Sequence, residues 1–210
     1  MRAAGAVALG GAWGWLSWWG DHQHSQYLAV MTNIGGPWLL FAFLMGMWAD
    51  NVYEGGVLGA LTLAAAVCAY YGIYQATRTN DPTMETRFFL NHGIAWLPIA
   101  AIGGAMFGVA GSLWRFGNGW LRPAAVALLG GALIAESILN IDDVGTYNSV
   151  NAGHMAALAC EAVVGILLPF FLLKRGREMA ISVGLTIAVA LVGIGVEQAV
   201  FDYIQNTYWA

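Results

Sequence analysis

Long apolar runs separated by short polar stretches make up almost the whole chain. The first run, Ala3 to Trp19, follows Met1-Arg2 and ends before the polar stretch Asp21-His22-Gln23-His24-Ser25-Gln26. It resembles a signal peptide in length, but Trp15-Leu16-Ser17-Trp18-Trp19 lacks a small-residue cleavage pattern, so it is read as a first helix. A second helix is predicted from Tyr27 to Trp48, kinked or broken at Asn33, Gly35, Gly36 and Pro37, because proline removes a backbone donor. Asp50 to Gly56 reads as a tight turn. Further helices are predicted over Val57 to Ala76, Phe89 to Trp114, Pro123 to Asn140, Ala152 to Leu173 and Met179 to Phe201. Each approaches the roughly 20 residues that a bilayer requires.

Composition turns this pattern into a class. The chain has 210 residues, 59% of them hydrophobic and 10% charged. Soluble domains carry about 25% charged residues. The expectation is an all-α polytopic membrane bundle of about seven transmembrane helices, with residues 1–210 forming one domain. A net charge of −4 leaves no basic stripe for nucleic acid. Cys68 and Cys160 lie in separate apolar runs and read as small core residues. Ala4, Ala8 and Ala12 form a small-residue stripe suited to helix contact, and Gly103-Gly104 and Gly130-Gly131 read as packing glycines.

Charge also predicts orientation. With seven helices, Arg2, Arg115, Arg122, Lys174, Arg175 and Arg177 fall on one face, and only Arg78 and Arg87 on the other. The positive-inside rule makes the first face cytoplasmic, with the N-terminus inside and the C-terminus outside a bacterial cytoplasmic membrane.

Against that background the membrane acids stand out. Glu136, Glu161 and Glu197 lie in apolar runs, all in the outer half of the bilayer in this topology. Intramembrane acids are costly and mark functional sites by default. Glu136, Asn140 and Asp143 share a helix face if the helix continues past Asn140, and His154 and Glu161 share another. Asp142 and Asp143 follow at the membrane entrance. Aromatic residues crowd the same end: Trp15, Trp18 and Trp19, then Tyr70, Tyr71 and Tyr74, then Trp96. Each also has a plainer role, since tryptophan and tyrosine anchor helix ends at the interface. A lone membrane glutamate also serves as a structural hydrogen-bonder, His154 as a helix-start residue, and Asp50 with Glu54 as turn chemistry. His22 and His24 read as solvated loop residues. No metal-ligand spacing is present, and neither metal nor cofactor is expected.

Two resemblances bear on function. Asn33-Ile34-Gly35-Gly36-Pro37-Trp38 with Phe41, Phe43 and Gly46, then Gly59-Ala60-Leu61, Ala69-Tyr70-Tyr71, Phe107-Gly108, Leu113-Trp114-Arg115 and Ala135-Glu136, resembles a family of small actinobacterial membrane proteins without an assigned activity. The likeness covers about two thirds of the chain and implies a compact helical bundle. The chain departs from that pattern at Asp50 to Glu54, where basic residues are expected. In length, helix number and isolated membrane acids, the chain is also similar in type to small membrane-bound terpene cyclases of indole-terpenoid and meroterpenoid pathways. That similarity implies metal-independent protonation of a polyprenyl chain or its epoxide.

A buried carboxyl favours its protonated form, and aromatic faces stabilise cations. The expected function is therefore acid-initiated cyclisation of a prenylated, lipophilic small molecule. One of Glu136, Glu161 or Glu197 acts as acid, and a second carboxylate or His154 takes the terminal proton. Asp142 and Asp143 gate the entrance. Trp15, Trp18, Trp19, Tyr70, Tyr71, Tyr74, Trp96 and Asn140 line the substrate path, with membrane lipid as the surrounding partner. The alternative is a substrate-capture subunit of a vitamin or metal transporter, whose docking Ala-x-x-x-Ala spacing the Ala4, Ala8, Ala12 stripe resembles.

Overall fold

The computed structural model describes residues 1–23, 28, 32, 34–77, 93–146 and 152–204. Side chains at 141–146, 152–154, 197 and 201–204 are outside that description, as are the remaining residues in full. Among the described residues the chain forms seven helices: α1 Arg2–Asp21, α2 Gly35–Met47, α3 Val52–Thr77, α4 Ile94–Phe116, α5 Leu121–Thr146, α6 Ala152–Leu172 and α7 Gly176–Ile204. Five of them, α3 to α7, contain stretches long and apolar enough to cross a membrane. The protein is an all-α integral membrane bundle. α1 is 20 residues long but diluted by glycine and tryptophan, and α2 is a shorter apolar helix of 13 residues.

The helices pack in two connected groups. α3 lies between α1 and α4, and α2 packs on α4 and α3. α5 joins this group through α4 and carries α6 and α7 on its other side. The core runs through the centre, where Phe43, Leu63, Val67, Phe107, Leu129 and Leu133 are buried together. Lipid hydrocarbon is as apolar as leucine, so close van der Waals packing must hold such helices together. Glycine makes this possible between α3 and α4: a Cβ on Gly108 would fall 2.1 Å from the Gly55 carbonyl oxygen, and one on Gly104 would fall 2.4 Å from that of Gly59.

Several expected boundaries and faces are corrected. The break expected within the Tyr27 to Trp48 helix is present, with Ile34 extended (φ −62, ψ 145) and α2 beginning at Gly35, but other boundaries move. The expected turn Asp50 to Gly56 is mostly helix. Asn51 Oδ1 accepts the Glu54 N–H at 2.9 Å, and Glu54 Oε2 accepts the Asp50 N–H at 2.7 Å, so α3 starts five residues early. This is a capping arrangement in which Asn and Glu three residues apart satisfy free backbone donors. α5 continues to Thr146, past Asn140. Ala4, Ala8 and Ala12 are exposed, and the packed stripe of α1 is Ala6, Gly10, Gly14, Ser17 and Gly20. Gly104, Gly130 and Gly131 are packing glycines, whereas nothing lies within 4 Å of a Cβ on Gly103. Cys68 and Cys160 are exposed rather than in the core. On a lipid-facing surface a thiol incurs little penalty, because it behaves as a small apolar group.

Both ends of the bundle are tied by side chains. At the basic end Arg2 pairs with Asp50 and Glu54, and Arg115 donates to the Met47 and Ala49 carbonyls at 3.0 and 3.2 Å. The Arg2 guanidinium beside Asp50 holds that carboxyl below the usual aspartate range. At the opposite end the Tyr70 hydroxyl donates to Asp21, joining α3 to the end of α1.

Candidate functional site

The site forms where α2 begins. A broken helix leaves backbone groups without their usual partners. Pro37 has no N–H to give, and Gly35 and Gly36 open α2 after the extended Ile34, so their amides belong to the helix end that has no intrahelical acceptors. The Thr32 carbonyl just before the break is held from elsewhere: it accepts the Ser17 hydroxyl at 2.7 Å and the Trp38 indole N–H at 3.1 Å. Gly20 lets α1 approach this point, since a Cβ there would meet Thr32 Oγ1 at 2.2 Å.

The freed amides meet two acids. Gly35 and Gly36 donate to the Glu136 carboxyl of α5. Glu161 of α6 lies over Gly36, and its carboxyl neighbours that of Glu136. The two glutamates are 8% and 5% exposed, so water contributes little to their solvation. A hydrogen bond between two carboxyl groups requires a proton on one of them. The α2 N-terminus, with its partial positive charge, favours negative charge on the other. The unit is therefore two neighbouring buried carboxyls and a pair of amide donors at the start of α2.

Neighbouring groups set the geometry. Ser137 Oγ lies 3.3 Å from Glu161 Oε2, 2.9 Å from the Leu133 carbonyl and 3.1 Å from that of Leu158. The Asn140 amide donates to the Glu136 backbone carbonyl at 2.9 Å, so it supports the helix rather than the carboxyl. Ile34 packs with Leu158 and Met155, which fixes the extended residue against α6.

The sequence-predicted residues divide into groups. Glu136 and Glu161 come together. Glu197 lies on α7 one turn beyond Gly193, which packs on Ala135, but its side chain is outside the described residues, as are those of Asp142, Asp143 and His154. Asp142 and Asp143 lie on the last turns of α5, and His154 lies on the first turn of α6, two turns before Glu161. Trp18, Tyr70 and Tyr74 gather at the ends of α1 and α3. The His22 ring lies 4.7 Å from that of Trp18, tilted to it by 38°, and the Tyr70 and Tyr74 rings are 6.3 Å apart. Trp15 and Trp19 face outward, at 50% and 36% exposure. Tyr71, Trp96 and Trp38 pack against the central core that contains Leu133.

Sequence reasoning treated Gly35 and Gly36 only as helix breakers and passed over Ser137 and Asp21. The signal for Ser137 is its place next to Glu136 in a run with few polar residues. Asp21 carries no such mark, because its partner Tyr70 is 49 residues away.

Residues 1–202 match the model of a family described as of unknown function (DUF6518), and the chain belongs to that family. No curated protein and no solved structure matches the chain.

Proposed function

We propose that the protein is a metal-independent membrane cyclase that isomerises a prenylated, lipophilic small molecule by proton transfer at the Glu136–Glu161 pair. The supporting observation is a pair of buried, neighbouring carboxyls at the start of α2, one of them held by the backbone amides of Gly35 and Gly36. In this reading Glu161 is the acid. It gives its proton to the terminal alkene carbon or epoxide oxygen of the prenyl chain. The carbocation closes onto a neighbouring double bond, and the final cation loses a proton to Glu136. Transfer across the carboxyl–carboxyl hydrogen bond then resets the pair. Substrate and product have the same mass. Burial keeps an acid protonated at working pH, as this chemistry requires. Tyr71 and Trp96 offer aromatic faces in the adjoining core, and such faces stabilise cations.

The proposal places the protein in a bacterial cytoplasmic membrane with the N-terminus inside and the C-terminus outside, following the basic residues at one end. A reporter fused after Ala210 tests that orientation. Turnover is tested by giving membranes farnesylated aromatic compounds, with and without terminal epoxides, and seeking a product of unchanged mass and shifted retention. An isomer lost in Glu161→Gln supports the reading. An isomer that persists in both Glu136→Gln and Glu161→Gln contradicts it.

The capture-subunit alternative draws support from a different observation. The exposed Ala4, Ala8 and Ala12 stripe is available for a partner helix, and Asp21 with Trp18, His22, Tyr70 and Tyr74 makes an acidic, aromatic rim. Copurification of a tightly held water-soluble ligand would favour it.

A further inference from the structure

The end of the bundle remote from the carboxyl pair carries charge that the proposed reaction does not use. Arg2 is neutralised there by Asp50 and Glu54, and Arg175 lies 3.7 Å from Glu178. Among the described residues no acid pairs with Arg122, Lys174 or Arg177. Arg122 is also fixed in place. Its guanidinium lies 5.4 Å above the Trp114 ring, and the Trp114 indole N–H donates to the Leu172 carbonyl at 3.0 Å. These contacts bring the start of α5 to the end of α6, two residues before Lys174. Arg122 Nε is buried and has no hydrogen-bond acceptor among the described residues. A buried donor without an acceptor is costly, and a guanidinium fork fits phosphate oxygens.

The surroundings match a lipid. Trp120, 66% exposed, precedes Arg122 by two residues, and exposed tryptophans at helix ends are typical of membrane interfaces. Phe170 and Phe171 are exposed on α6 just before the seam, on a face that also exposes Ile166 and Leu167. A cationic seam above an apolar helix face reproduces the order of headgroup and acyl chain. Basic pockets between transmembrane helices bind anionic headgroups by this arrangement.

We propose that the α4–α5–α6 seam at the basic end is a binding site for an anionic phospholipid. Arg122 and Lys174 hold the phosphate, and the exposed face of α6 holds an acyl chain. The site is independent of the carboxyl pair and of the reaction proposed there.

The test is native mass spectrometry of the delipidated full chain in neutral detergent, titrated with phosphatidylglycerol or phosphatidylcholine. The wild type should bind phosphatidylglycerol more tightly. Arg122→Gln and Lys174→Gln should each weaken that binding about fivefold while leaving phosphatidylcholine unchanged, as expected for one lost charge near a headgroup. Lys174 is exposed, so its variant keeps the test valid even if Arg122→Gln disturbs packing against Trp114. Equal affinity for the two lipids, or unaltered binding in both variants, would overturn the proposal. So would displacement of phosphatidylglycerol by inorganic phosphate, which would identify a site for a soluble anion.

Discussion

Gly36 is where the carboxyl pair is most easily broken without removing either acid. A Cβ at that position would lie 1.8 Å from Glu161 Oε1, 2.6 Å from Leu133 Cδ2 and 2.8 Å from Glu161 Cδ. At Gly35 the nearest atoms are Glu136 oxygens at 3.0 and 3.1 Å, a contact that a small shift relieves. Gly36→Ala must therefore push Glu161 aside by more than 1 Å, enough to end a hydrogen bond. Overpacking costs about 1–3 kcal/mol and a lost hydrogen bond to a charged group costs about 1.5–3 kcal/mol. The expected loss of stability is about 2.5–6 kcal/mol for Gly36→Ala and within about 1 kcal/mol of zero for Gly35→Ala. Thermal unfolding in lipid nanodiscs reads both, and a double-mutant cycle isolates the cause. In a Glu161→Ala background the cost of Gly36→Ala should fall by more than half, because the clashing carboxyl is gone. An undiminished cost in that background would refute the placement of Glu161 over α2.

Other perturbations test separate parts of the account. Gly108→Ala sets a methyl against the Gly55 carbonyl and should destabilise by about 3 kcal/mol or more, while Gly103→Ala, with nothing within 4 Å, should be neutral or stabilising by up to about 1 kcal/mol; unfolding midpoints distinguish them. Asp50 has a lowered pKa when folded, so the contribution of its pair with Arg2 is fully present above the ordinary aspartate value of 3.8 and is lost as pH falls through the lower folded value. The stability difference between wild type and Asp50→Asn should stay level from neutral pH down to about pH 5 and close only at more acidic pH. A difference that vanishes near neutrality would contradict the pairing. If the pair is catalytic, Gly36→Ala should also slow isomerisation by about 100-fold, because misplacing a catalytic group by 1 Å has that effect; an unchanged rate would argue against the reaction.

Much of the fold was legible because hydrophobic run length is a direct consequence of bilayer thickness. The break at Gly35-Gly36-Pro37 was legible too, since proline and adjacent glycines have local effects. Other features were hidden for physical reasons. Asn51 and Glu54 form a capping pair that periodicity does not register, so α3 was expected to begin too late. The polar residues Asp142 and Asp143 suggested that the helix ends at Asn140, yet α5 continues through them. The outward faces of Ala4, Trp15 and Cys160 could not be assigned, because lipid and protein interior are equally tolerant of apolar residues. Glu136 and Glu161 were recognisable individually as unpaired membrane acids. The meeting of Glu136 with Gly35 depends on packing across 101 positions of sequence, which no local pattern encodes.

The most direct test of the central claim is the infrared spectrum of the protein in lipid nanodiscs, read at the carbonyl stretch of protonated carboxyl groups. A shared proton between Glu136 and Glu161 predicts a band at neutral pH that is lost or shifted in Glu136→Gln and again in Glu161→Gln. A spectrum that neither substitution alters would contradict the shared proton, and the chemistry proposed from it would fall as well.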